Sequence, residues 1–327
     1  MTEEAVSLMT VDQGREAVRS LSFGEVQKDA TDLRLSVSQQ GELRLTLEDF
    51  GPLAFTQEAE TELRQMTHMD KRFLQEFVDD RDLQERVVGH ILGRFSGRPL
   101  RIVHTPRAVV GVKPADESYV SPMDLYNLVA ENSQLHQVRS VQFTPRGLFE
   151  MRMLLEQHFE PARKVGDISH AGLRVKMNGR PEVAAYIYTL RCTNGMIGED
   201  SYPAQVETGR PIQMHEAVAR LVQEQVQLAN ALCQRLVQSD ETTVANPQVT
   251  LIRLARERGV GDRLTRRLIE RIPSLEEPVS QYDLTSLITS EANGLGFQDR
   301  ERLQRFGHAV TMAVPDARCS HCGSTLR

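Results

Sequence analysis

The segments flanking Asn178-Gly179 carry the most suggestive chemistry in the chain. Asn-Gly is a strong hairpin-turn signal, and apolar and polar residues alternate on both sides of it. With a three-residue loop at 178–180, Leu173, Val175 and Met177 share one face with Val183, Ala185 and Ile187. The opposite face then carries Arg174, Lys176, Tyr186 and Tyr188. Cations beside aromatic rings on a sheet suit single-stranded nucleic acid, because the charges meet phosphates while bases stack on the rings. A slip of one residue would dismantle the set. The two tyrosines could equally pack beneath helices.

The charge pattern offers a second candidate surface. The formal net charge is −6, which argues against a protein that coats nucleic acid over its whole surface. Residues 1–85 hold nineteen acids against nine bases, a balance of −10. From Arg86 to Ala115 there is no acid, against six bases: Arg86, Arg94, Arg98, Arg101, Arg107 and Lys113. Such a stretch in an acidic protein is the footprint of an anion-binding face, or else a solvated surface whose acids lie elsewhere in space. A second basic run comprises Arg253, Arg256, Arg258, Arg263, Arg266, Arg267 and Arg271, diluted by Glu257, Asp262 and Glu270. Its helical spacing also fits a plain solvated helix face.

Catalytic signatures are sparse. The chain has no phosphate loop, no G-x-G-x-x-G after a strand, no H-E-x-x-H and no G-x-S-x-G elbow. Cys192 and Cys233 read as small core residues. His170, close to Asp167, fits a hydrogen-bonded turn better than acid–base chemistry. Cys319-Ser320-His321-Cys322 is half of a zinc knuckle, since two sulfurs at this spacing can converge on one tetrahedral ion. Closing it would take two further ligands, from His308, His321 or another subunit. No cofactor is otherwise required, and zinc is the one metal expectation.

These residues need elements to hold them. Leu33, Leu35 and Val37, then Leu43, Leu45 and Leu47, alternate as a hairpin with one buried face. Thr56 to about Leu92 reads as helix. The middle of the chain is strand-rich, at 100–103, 108–112, 138–143, 149–155, 173–177 and 183–192, with a short helix from Ser121 to Val129. In the 149–155 strand, Glu150 and Arg152 fall on the polar side. From Met214 the period lengthens to that of a helix of roughly 25 residues with a Gln-rich outer face. Helices follow at roughly 248–271, 283–292 and 299–313. Strands followed by helices indicate an α+β fold. Its sheet is mainly antiparallel, built from hairpins in the N-terminal two-thirds, with a helical C-terminal region. The expected division is an α+β core with an acidic N-terminal part at 1–212, a helical region at 213–313 and a tail at 314–327.

The acidic start lacks the basic and apolar regions of a signal peptide. No window approaches the roughly 18 apolar residues of a membrane span. A cytoplasmic location follows as the default, and four Cys with one close pair suit a reducing compartment.

Between Leu100 and Asp200 several segments carry a family likeness: Leu100-Arg101-Ile102-Val103, Val109-Val110-Gly111-Val112, Tyr119, Leu125-Tyr126-Asn127-Leu128-Val129, Gly147-Leu148-Phe149-Glu150 and Arg191-Cys192-Thr193-Asn194-Gly195-Met196. With the later Gln281-Tyr282-Asp283-Leu284-Thr285-Ser286-Leu287-Ile288-Thr289, they resemble the phage/plasmid-type proteins catalogued as a domain of unknown function, number 932. The resemblance spans roughly residues 50–312. It implies a mobile-element product associated with replication or recombination, and carries over no catalytic residue. An analogy to single-strand annealing recombinases extends to fold level alone. In the residues themselves, Asn194-Gly195 reads as a turn tolerant of positive φ, with Arg191 either ion-paired or aimed at phosphate.

The leading expectation is a non-enzymatic protein of a phage, prophage or plasmid that binds or anneals single-stranded DNA as a homo-oligomer. Arg94, Arg98, Arg101, Arg107, Lys113, Arg174, Lys176, Tyr186, Tyr188 and Arg191 would form its groove. One rival is an interaction factor that recruits a basic protein through the acidic N-terminal region. Another is a metal-dependent nuclease using Asp116, Glu117 and Asp124.

Overall fold

The computed structural model describes residues 8–38, 42–68, 80–144, 146–160, 168–178, 180–189, 194–198, 202–203 and 211–313. The fold is α+β, with antiparallel-rich sheets first and helices last.

Helix α1 (Val11–Ser20) opens the chain, started by a capping box in which Thr10 and Gln13 satisfy each other's backbone N–H groups. The first sheet follows in the order β1 (Gly24–Asp29), β5 (Pro99–His104), β6 (Ala108–Pro114), β4 (Gly51–Phe55), β3 (Leu43–Leu47), β2 (Arg34–Val37). All its pairings are antiparallel except β4 with β6. The expected alternation holds in β3, where Leu43, Leu45 and Leu47 are buried. They pack with Ala59 and Leu63 of α2 (Gln57–Thr67) and with Val88 and Leu92 of α3 (Arg81–Gly93). The single helix expected from Thr56 to Leu92 therefore corresponds to two described helices, with 69–79 outside the described residues.

Helix α4 (Pro122–Asn132), capped by Ser121, leads into the second sheet. Its order is β7 (Leu135–Phe143), β8 (Phe149–Phe159), β9 (Ser169–Asn178), β10 (Arg180–Thr189), β11 (Asn194–Ile197), read from the opposite edge, with a short β12 (Tyr202–Pro203) also on β10. One face of this sheet packs on α5 (Pro211–Glu241), about 46 Å long at 1.5 Å per residue. Leu173, Val175, Val183, Ala185 and Ile187 meet Met214, Val218, Leu221 and Val222 there. Gln225, which falls in the inward stripe of α5, is buried and accepts the Ala185 N–H at 2.8 Å, while Gln223, Gln227, Gln234 and Gln238 of the Gln-rich outer side are exposed.

The C-terminal helices are α6 (Pro247–Glu257), α7 (Asp262–Arg271), α8 (Gln281–Glu291) and α9 (Phe297–Met312), which share an apolar core of their own. The single helix expected at 248–271 is broken at 258–261. Gly259 adopts φ +63, a conformation that costs a side-chain-bearing residue about 1–2 kcal/mol. The Gly259 N–H bonds to the Arg256 carbonyl at 3.3 Å and the Val260 N–H to the Ala255 carbonyl at 2.8 Å. This is the Schellman ending, with Val260 buried beside Ala255. No helix among the described residues is long and apolar enough to cross a membrane.

Candidate nucleic-acid interface

The hairpin register is the one its turn requires. Val175 faces Val183, Leu173 faces Ala185, and Arg174, Lys176, Tyr186 and Tyr188 share the opposite side. That side is not open to solvent, which corrects the expectation of an exposed basic–aromatic face. Tyr186 and Tyr188 are fully buried with Leu154, Ala184 and Ile197. Arg174 is 2% exposed.

What occupies that face is a charge network. Glu150 on β8 is completely buried and accepts from two arginines: Arg152 Nε at 2.9 Å and Arg174 Nε at 2.8 Å. The outer nitrogens of Arg174 grip both oxygens of Glu301 on α9, at 2.8 and 3.1 Å. Lys176 and Arg305 approach the same carboxylate at 3.3 Å. Bidentate, charge-assisted bonds of this kind hold geometry as well as charge. The tyrosines are enclosed by Arg152 of this network and by Arg139 of β7. Arg139 donates to the Tyr186 hydroxyl and lies 4.0 Å over the Tyr188 ring, and Arg152 lies 5.5 Å from the Tyr186 ring. The two rings stack with centroids 6.4 Å apart.

Electrostatics follow from this enclosure. Burial opposes ionisation of Glu150, but Arg152 and Arg174 overcome it and keep its carboxyl below the ordinary value. Burial likewise opposes the Glu301 charge, and the Arg174 hydrogen bond, with the charges of Arg174, Lys176 and Arg305, holds that carboxyl well below its usual range. Lys176 is pushed down by burial and by neighbouring Arg174, with Glu301 opposing. Burial also raises the Tyr188 phenol.

Two cations of the acid-free run, Arg101 and Lys113, are neutralised by acids from upstream. Arg101 pairs with Glu25 at 2.6 Å, donates to the Glu117 and Ala115 carbonyls and lies over Tyr119. Lys113 is buried and pairs with Glu62 at 3.5 Å. Neither offers a free cation to a ligand, which corrects their assignment to a groove. Arg94, Arg98 and Arg107 are exposed. Arg98 precedes β5 and Arg107 follows it, so the six-residue strand separates them by about 20 Å. Arg191, Cys192, Cys319 and Cys322 lie outside the described residues.

Several other readings also change. Asn194-Gly195 is part of β11, paired with Thr189 and Tyr188, and not a turn. Glycine is needed at 195 for space, because a Cβ there would sit 2.5 Å from the Tyr186 hydroxyl. Asp116 and Glu117 line a cleft of about 480 Å³ with Arg98 and Phe95, whereas Asp124 bonds the Ser121 hydroxyl at the start of α4. Among the described residues no three His, Cys, Asp or Glu side chains are grouped to hold a metal ion. Cys233 is buried in the core, and burial pushes its thiol up to about 12, away from the thiolate form that nucleophilic chemistry needs.

The second basic run is placed differently. Arg253 and Arg256 of α6, Arg258 of the turn, and Arg263, Arg266, Arg267 and Arg271 of α7 are all exposed. Carboxylates steady three of them from the side: Asp299 holds Arg263 at 2.6 Å, and Glu291 holds Arg267 at 2.7 Å and Arg271 at 3.2 Å. Their side chains nevertheless remain 76%, 48% and 60% exposed. Among the described residues no carboxylate pairs with Arg256 or Arg266. Helical spacing of arginines signalled this surface in the sequence. Nothing there distinguished it from a solvated helix.

Comparison with protein-family models, curated proteins and solved structures returned no match to this chain.

Proposed function

We propose that this chain is a non-enzymatic nucleic-acid-binding protein whose contact surface is formed by α6, the 258–261 turn and α7. The observation that carries the reading is the concentration of seven exposed arginines within nineteen residues, 253–271, against three acids. A surplus of exposed cations attracts a polyanion and releases its counterions. The surface needs no cofactor to do this. The groove expected from Arg101, Lys113, Arg174, Lys176, Tyr186 and Tyr188 gives it no support, because those groups are buried or paired. Arg94, Arg98 and Arg107 remain available as outlying phosphate contacts. The resemblance to phage/plasmid-type proteins is in keeping with a role beside replication or recombination.

The test is fluorescence anisotropy of the full chain with labelled single- and double-stranded oligonucleotides at two salt concentrations. Binding should occur, and log affinity should fall linearly with log salt concentration as bound phosphates shed counterions. Undetectable or salt-independent binding to both probes would overturn the reading.

A further inference from the structure

The form of the arginine surface carries the argument further, on the premise that it binds nucleic acid. Helix α6 buries Leu251, Leu254 and Ala255, and α7 buries Leu264 and Leu268. Both sets enter one apolar core with Val260 of the turn, Ile272, and Leu284, Ile288, Leu303 and Phe306 of α8 and α9. The link is four residues long, 258–261, with Gly259 at positive φ and Gly261 as the N-cap of α7. Two short helices joined by a tight glycine turn over a shared apolar core have the connectivity of a helix–turn–helix unit.

In such a unit the second helix is the one offered outward. Here α7 packs on the core through Leu264, Leu268 and half-buried Ile269, and leaves Asp262, Arg263, Arg266, Arg267, Glu270 and Arg271 exposed. Ten residues span about 15 Å, and a B-form major groove about 12 Å wide admits one helix. Arginine is the side chain that reads guanine edges bidentately. Glu291 braces Arg267 and Arg271 from α8, and Asp299 braces Arg263 from α9. Such bracing reduces the side-chain freedom lost on binding. Arg253, Arg256 and Arg258 flank the helix, where phosphate contacts would fix its position.

Single strands ask for something else. They are held by stacking on exposed rings. Residues 247–271 contain no Phe, Tyr or Trp, and Tyr186 and Tyr188 are buried among Leu154, Ala184 and Ile197, with the Arg139 guanidinium over the Tyr188 ring. We infer that the unit formed by α6 and α7 binds duplex DNA, with α7 inserted into the major groove.

The experiment compares full-length protein on a labelled mixed-sequence 30-base-pair duplex and on a 30-nucleotide oligo(dT), with Arg266→Ala and Arg256→Ala as variants. Circular dichroism would confirm that each variant is folded. The duplex should bind at least about tenfold more tightly than oligo(dT). Arg266→Ala should weaken duplex binding about tenfold, and Arg256→Ala, which removes a phosphate contact, should lower the salt slope by about one. Equal or tighter binding to oligo(dT) overturns the duplex inference while leaving nucleic-acid binding intact, as does wild-type duplex affinity in both variants. Failure to bind either probe removes the underlying reading as well.

Discussion

Arg174 and Arg266 belong to two arginine-bearing regions that look alike on paper and end in opposite environments. Arg174 sits on a strand whose polar side meets α9, so its guanidinium is consumed by Glu150 and Glu301. Arg266 sits on a helix that buries a narrow apolar stripe, Leu264 and Leu268 with Ile269 half-buried beside them, and its guanidinium lies on the opposite, exposed side. A two-sided sheet can be covered on both faces, and whatever charges it carries must then be paired. A surface helix buries one stripe and leaves the rest of its circumference exposed. Basic residues on a strand are therefore poorer evidence for a ligand surface than basic residues opposite a helix's apolar stripe.

The largest effect should come from breaking the buried network. Glu150→Ala strips Arg152 of its carboxylate in the interior and leaves Arg174 with Glu301 alone, and should cost about 3–5 kcal/mol in urea unfolding. Replacing Glu150, Arg152 and Arg174 together by apolar residues of similar volume should cost far less, because buried charge and partner leave together. If the single change were as mild as the triple, the network would not be the closed interior feature described here.

Acid should open the same region next. Glu150 and Glu301 have folded-state values depressed below the ordinary carboxylate value of 4.5. In the window between the folded and unfolded values the unfolded chain binds more protons, so stability falls as pH falls. Their contribution is fully present above about pH 5 and is lost progressively below it. Thermal unfolding followed from pH 7 to pH 3 should show this decline, and Glu301→Gln should flatten it. An unchanged slope in Glu301→Gln would mean that other carboxylates govern the acid limb.

Gly259→Ala should have an intermediate effect, about 1 kcal/mol in chemical denaturation. Its cause is the positive φ alone, since no atom lies within 4 Å of a Cβ built there. A neutral result would mean that the turn relaxes and that the helix break is less firmly set. Arg266→Ala should be the mildest for stability, within about 0.5 kcal/mol, as for other exposed positions. A much larger loss would show that Arg266 supports the fold, like Arg174, and would erase the contrast between the regions.

Much of the local structure is legible in the sequence. The 173–187 register follows from period-two alternation closing on one turn, and the Leu43, Leu45, Leu47 face from the same rule. The start of α1 was missed, although Thr10 and Gln13 stand at capping-box spacing. The break between α6 and α7 was missed because Leu251, Leu254, Leu264 and Leu268 keep helical spacing across Gly259-Val260-Gly261. The glycines were the available signal. Glu301 as the partner of Arg174, 127 residues away, had no local signal at all.

The amino-acid order by itself set which residues share a face of each strand and helix, because backbone geometry fixes those periods at 2 and 3.6 residues. It also set the charges available, including the acidic first quarter and the basic stretch that follows. Which faces met water was decided by packing. Glu25 reached Arg101, Glu62 reached Lys113 and Glu301 reached Arg174 only once separate elements were brought together. Opposite charges distant in the chain find one another because burying either alone costs more than the pair can tolerate, and that pairing left the arginines of α6 and α7 as the principal exposed cationic surface of the described structure.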